Sequence, residues 1–131
     1  MRIVFDTNVI ISGFITTSGL SQHVFMLGIK RHRVVLSEYI LEEIHRKLIH
    51  KLGIPAAEME ALNRFLRMRA TVLKVKPNPE ISFPDKKDIP ILSLFEACNA
   101  HYFVTGDKAL LGLKKFRQTL ILSPREAAEV L

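Results

Sequence analysis

A single cysteine, Cys98, leaves no internal disulfide to form and excludes a cysteine-built metal site. No apolar run approaches the length needed to cross a bilayer; the longest, such as residues 24–29, breaks off within a few positions. No serine stands in a Gly-x-Ser-x-Gly turn, which removes that class of hydrolase. No glycine-rich phosphate loop is present either. The histidines lack metal-ligand spacing: even His45 and His50 fall on different helix faces, so all five read as surface residues. Cys98, set among apolar neighbours, reads as core. Repeats, low-complexity stretches and interdomain linkers are all missing. The 131 residues, 1–131, therefore read as one domain. Aspartate is scarce too: there are four, Asp6, Asp85, Asp88 and Asp107.

Apolar residues make up 48% of the chain, enough to build a core and to exclude wholesale disorder. The formal charge of +6 favours polyanions such as nucleic acid, or an acidic partner, although a basic surface alone would give the same figure. The N-terminal apolar run meets Asp6 at once, whereas a secretory signal needs a longer stretch and a cleavage site. The expectation is a cytoplasmic protein with its native start and no membrane partner.

Strands are expected at residues 2–5, 33–36, 71–75, 102–105 and 119–122, where β-branched and aromatic residues cluster. Between them, apolar spacing predicts helices near residues 8–14, 20–30, 38–52, 56–69, 88–100 and 107–113, and a last one after Ser123-Pro124. Ser37 is expected as a cap, as is Ser18 or Ser21, and Ser123 with Glu126 has capping-box spacing. Gly53 ends the third helix, the proline-rich residues 76–87 form a loop, and Pro90 sits in a first turn, where its missing N–H does little harm. Such alternation predicts an α/β class: a three-layer α/β/α domain with a five-stranded parallel sheet.

Each aspartate falls where a strand or loop gives way to a helix. In open parallel sheets ligands bind outside the carboxyl ends of strands, where Asp6 and Asp107 belong. If their strands are neighbours, the carboxylates converge. Convergent carboxylates repel unless a cation lies between them, and hard divalent ions prefer oxygen. Such an ion can polarise a phosphate, lower the pKa of a water and stabilise a leaving oxygen, which is the physical case for phosphodiester hydrolysis. Capping competes for Asp6 and Asp107. Asp88 begins the apolar stripe of Ile91, Leu92 and Phe95 rather than a wet face, although a helix-end role competes there as well. Asp85, beside Lys86 and Lys87, reads as solvated. Glu42 and Glu43 both flank the apolar face of Ile40, Leu41, Ile44 and Leu48, and helical phase does not choose between them.

The ordered set Ile3-Val4-Phe5-Asp6-Thr7-Asn8, Ile40-Leu41-Glu42-Glu43-Ile44, Asp85-Lys86-Lys87-Asp88-Ile89-Pro90 and Val104-Thr105-Gly106-Asp107-Lys108 resembles the PIN-domain family over nearly the whole chain. The nearest likeness is to compact prokaryotic toxins of toxin–antitoxin pairs. The resemblance implies that the strands bearing Asp6 and Asp107 are adjacent. It implies an acidic set of Asp6, Glu43, Asp88 and Asp107 that is both catalytic and metal-binding, with Glu42 as the fallback, and with Asn8 and Thr105 in support. Mg2+ or Mn2+ is the implied cofactor, single-stranded RNA the implied substrate, and an antitoxin and a second copy of the chain the implied partners. Pro90 departs from the usual pattern, and no acidic position is lost. The rival reading is a non-catalytic module binding RNA or an acidic peptide. A phosphorylated-aspartate enzyme fits less well, because Asp6-Thr7-Asn8 lacks a second nearby acid.

Basic residues cluster at Arg31/His32/Arg33, Arg46/Lys47/His50/Lys51, Arg64/Arg67/Arg69 and Lys114/Lys115/Arg117. Any one cluster is explained by a solvated helix face. Lys108, next to Asp107, is the best single residue for touching substrate phosphate.

Overall fold

The computed structural model describes residues 1–16 and 19–131. Strands β1 (Arg2–Phe5), β2 (Arg33–Ser37), β3 (Thr71–Leu73), β4 (Tyr102–Val104), β5 (Lys115–Phe116) and β6 (Thr119–Leu122) form one six-stranded sheet in the order β3-β2-β1-β4-β6-β5. All neighbours pair in parallel except β5, which runs antiparallel to β6. Ile3, Val4 and Phe5, and likewise Val34, Val35 and Leu36, are all buried. Successive strand residues point to opposite faces, so unbroken buried runs require cover on both sides. The cover is α1 (Thr7–Ile15), α2 (Leu20–Arg31), α3 (Glu38–Arg46), α4 (Ala56–Arg69), α5 (Ile89–Cys98), α6 (Lys108–Leu111) and α7 (Pro124–Val130). The α/β class with a mainly parallel sheet is the one the sequence predicts. Among the described residues no single helix is long and apolar enough to cross a membrane.

Helix α2 approaches β1 closely because Gly28 has no side chain. A Cβ there would stand 2.7 Å from Phe5 Cζ. Phe5 is fully buried and held edge-on by Phe25, with ring centroids 5.1 Å apart, so it has little room to withdraw. Gly28→Ala is therefore expected to cost about 1–2 kcal/mol, overpacking outweighing the gain in helix propensity. The urea unfolding midpoint measures this; an unchanged or raised midpoint would mean that the ring shifts freely.

Local differences from the expected elements have physical causes. The sheet has one strand more than expected because β5 and β6 make a hairpin through Arg117-Gln118. Lys114 (φ 60°) and Arg117 (φ 52°) both take left-handed backbone there. Neither residue carries the Asn or Gly signature that announces such turns. The helix expected to reach residue 52 gives way after α3 to a π-helical turn, Lys47–Lys51. Strand β3 stops at Leu73, before residue 75. A 3-10 turn, Lys86–Asp88, leads into α5, which Asn99 closes at φ 51°. Ser37 accepts the Ile40 N–H at 3.1 Å, and Ser123 with Glu126 forms the expected capping box. Ser21 lies inside α2, behind Gly19, while Thr17 and Ser18 fall outside the described residues.

The sheet order also positions the site. From β1 the chain builds outward through β2 and β3, then returns to lay β4 on the other side of β1. The reversal opens a crevice beyond the carboxyl ends of β1 and β4.

Candidate active site

Phe5 of β1 lies opposite Val104 of β4, and the Asp6 N–H donates to the Val104 carbonyl at 2.9 Å. The next residue on each strand brings Asp6 beside Thr105. Thr105 is wholly buried, and its hydroxyl donates to Asp6 Oδ2 at 2.6 Å while accepting the Asp107 N–H at 3.0 Å. Asp6 Oδ1 accepts the Thr7 N–H at 2.8 Å. Thr7, equally buried, donates its hydroxyl to Glu43 Oε1 at 2.9 Å. One hydrogen-bonded chain thus runs from the loop after β4, through the end of β1, to α3. Neither hydroxyl is left unsatisfied, which removes the cost of burying it.

The charges are less comfortable. Burial pushes the Asp6 carboxyl above its ordinary pKa; hydrogen bonds from Thr105 and Thr7 oppose this, Glu43 adds to it, and Lys47 offsets it. Asp88 is pushed up to about 6, first by burial and then by repulsion from Asp85, Asp107, Asp6 and Glu43. Asp88 therefore shares a field with the other three acids. The capping alternative separates them. Asp6 caps α1, and Asp107 Oδ1 caps α6 by accepting the N–H groups of Ala109 (2.8 Å) and Leu110 (3.1 Å). Asp88 occupies the cap position of α5 but makes no side-chain cap bond. Helix capping does not account for it. Exposed Asp85 caps the 3-10 turn, accepting the Lys87 N–H at 3.0 Å.

Glu43 turns toward this group, whereas exposed Glu42 lines a groove between α3 and α4 beside Glu38, His45 and Arg67. Asn8 Oδ1 accepts from Lys47 Nζ at 3.1 Å. Lys108 is exposed at the start of α6. Two residues to which sequence reasoning gave no role, Thr7 and Tyr39, belong to these surroundings, as does Lys47, named there only as part of a basic cluster. The Tyr39 hydroxyl donates to the Lys87 carbonyl at 3.0 Å, tying α3 to the turn that delivers Asp88. Tyr39, Glu43 and Lys47 recur at spacings of four, which sets them along one side of α3 and the turn that follows it.

Other expectations need adjustment. His101 is half-buried rather than superficial, its Nδ1 accepting the Arg2 N–H at 3.0 Å at the far end of β1. Cys98 is half-buried. Three basic clusters are partly spent on carboxylates: Arg46 stands 3.8 Å from Glu43, Arg67 forks onto Glu38 at 2.8 and 2.9 Å, and Arg117 meets Glu96 at 2.6 Å.

The donor set suits a hard divalent cation, since positive charge would relieve the repulsion that raises Asp88. Among the described residues no three His, Cys, Asp or Glu side chains are gathered closely enough to hold a metal ion between them. Magnesium-type ions take one or two carboxylates directly and complete their shell with water and phosphate, so an open set of this kind fits them.

Comparison with known proteins agrees with this architecture. Residues 2–109 match a family model described as the PIN domain. No curated protein matches the sequence. Among solved structures, a chain in the crystal structure of VapBC2 from Rickettsia felis, bound to a DNA fragment from their promoter, superposes with a TM-score of 0.68. Identity is 16%, over 94% of this chain and 98% of that one, which establishes likeness of fold.

Proposed function

This chain belongs to the PIN domain family, whose members are generally nucleases, and on that premise we propose that it is a metal-dependent endoribonuclease cleaving single-stranded RNA. The observation that carries the reading is Asp88: a carboxylate at a helix start, uncapped, raised to about 6 by burial and by the acids around it. Asp6, Glu43, Asp88 and Asp107 would hold Mg2+ or Mn2+. When bound, the ion supplies Lewis acidity and charge neutralisation at a phosphate. The chain's own residues do the rest. Thr105 and Thr7 fix the Asp6 carboxylate on both oxygens and Glu43 on one, so little reorganisation is required when negative charge develops. Lys108 stands beside Asp107 to meet the phosphate backbone. The basic surplus of the chain gives it non-specific attraction to RNA.

The fold shared with VapBC2 supports a toxin role with an antitoxin protein as partner; a homodimer is proposed as the assembly. Co-expression with the product of the neighbouring gene tests that part separately: a stable, inactive complex supports it. Labelled single-stranded RNA incubated with Mg2+, Mn2+ or EDTA tests the chemistry. Cleavage that requires the metal is expected, at a rate EDTA lowers by at least about 100-fold. Binding without cleavage under every condition would favour the non-catalytic RNA-binding module instead.

A further inference from the structure

Lys47 is separated from Glu43 by one helical turn and opens the π-helical turn Lys47–Lys51. Such turns re-aim side chains and recur at functional sites. Its ammonium does not go to a carboxylate, although Glu43 and Asp6 are close by. Arg46 takes the place beside Glu43, Nη2 to Oε2 at 3.8 Å. Lys47 reaches instead across to α1, donating to Asn8 Oδ1 at 3.1 Å, two residues beyond Asp6. Among the described residues it is the one lysine whose side chain makes a hydrogen bond, and the acceptor is a neutral amide. The Lys47 charge is felt at Asp6, whose raised pKa it partly offsets.

An ammonium has three donors, and the amide uses one. Two N–H groups stay available on a half-buried cation at the edge of the acidic crevice. A phosphodiester approaching four carboxylates is repelled, and one divalent ion does not cancel them all. A further fixed cation is needed there. Lys86, Lys87 and Lys108 are exposed, with no partner holding them among the described residues. Of these four lysines Lys47 alone is tethered in place. We infer that Lys47 is a substrate-binding residue of this site, a ligand for an RNA phosphate oxygen held ready by Asn8.

The inference rests on the nuclease reading, so its test must separate the two. Wild type, Lys47→Met and Lys47→Arg are compared for binding a labelled single-stranded oligoribonucleotide with Ca2+ present, across a salt series, and for kcat and KM with Mn2+. Lys47→Met is expected to weaken RNA binding about tenfold at 0.1 M salt and to raise KM similarly. The slope of log affinity against log salt should shrink by about 0.7, the share of one phosphate contact on a single strand. Mn2+ affinity should hold or tighten, since a competing positive charge has gone. Lys47→Arg should restore most of the RNA affinity. Unchanged RNA affinity and slope in a Lys47→Met protein that still cleaves would overturn the inference and leave the nuclease reading standing. A lowered melting temperature with unchanged affinity would make Lys47 a structural pin and overturn it equally. A wild type that neither binds nor cleaves RNA defeats the nuclease reading, and this inference with it.

Discussion

Asp6→Asn is expected to lower RNA cleavage by at least about 100- to 1,000-fold while leaving the fold intact, a loss typical of removing one preorganised charged group from a site. The substitution is isosteric. The Thr7 N–H still finds a carbonyl oxygen at the Oδ1 position, keeping α1 capped. At the Oδ2 position the amide must donate to Thr105 rather than accept from it. The Thr105 hydroxyl already accepts the Asp107 N–H, and its second lone pair is available for this reversal, although its own O–H then loses the acceptor it had. Burial already disfavours charge at Asp6, so neutralising it costs little stability. A melting temperature within a few degrees of wild type, together with lost turnover, is the expected pair of results. Retained turnover in contaminant-free protein would remove Asp6 from the machinery.

Asp88→Asn should move stability and activity in opposite directions. The folded pKa of Asp88, about 6, lies above its ordinary value of 3.8. Its contribution to stability is therefore fully present below about pH 4 and lost as pH rises through about 6. In metal-free wild-type protein, unfolding free energy should fall across that window. In the Asp88→Asn variant the fall should be shallower. At pH 7 the variant should be the more stable, and solvent screening at this half-buried position keeps the gain to about 1–2 kcal/mol. At pH 4 the two should coincide. Cleavage should meanwhile drop by at least about 100-fold, the cost of exchanging strain at the site for stability. Urea unfolding in EDTA at several pH values measures the first part. A variant less stable than wild type at pH 7, or one with an unchanged pH slope, would mean that Asp88 does not feel the other acids.

Much of this arrangement was legible in the residues because local rules and tertiary structure agree. Strands β1 and β4 are legible as two short apolar runs, each ending in a polar residue before a helix, whereas their pairing was implied only by the family resemblance. Ser37, Ser123 and Gly53 announce their helix ends through local chemistry that needs no neighbours. The ambiguities had a different origin. Asp6 and Asp107 both cap helices and face the crevice, so the capping and functional readings were never exclusive. Only Asp88, with its cap position unused, separates them. Glu43 is distinguished from Glu42 by Thr7, which is 36 residues away in sequence. Strand β5 depends on left-handed backbone at Lys114 and Arg117, a conformation that those residue types do not advertise. The π-helical turn buries Leu48, and apolar spacing alone reads the segment as continuous helix.

The most direct test of the account is where a divalent ion binds. Crystals grown with Mn2+ and measured near its absorption edge locate that ion by anomalous scattering without reference to any activity. The account predicts a peak bounded by Asp6, Glu43, Asp88 and Asp107, absent from crystals of the Asp6→Asn variant grown in the same way. A peak confined to another surface, such as the Glu38 and Glu42 side of α3, or no peak at all in protein that cleaves RNA, would contradict it.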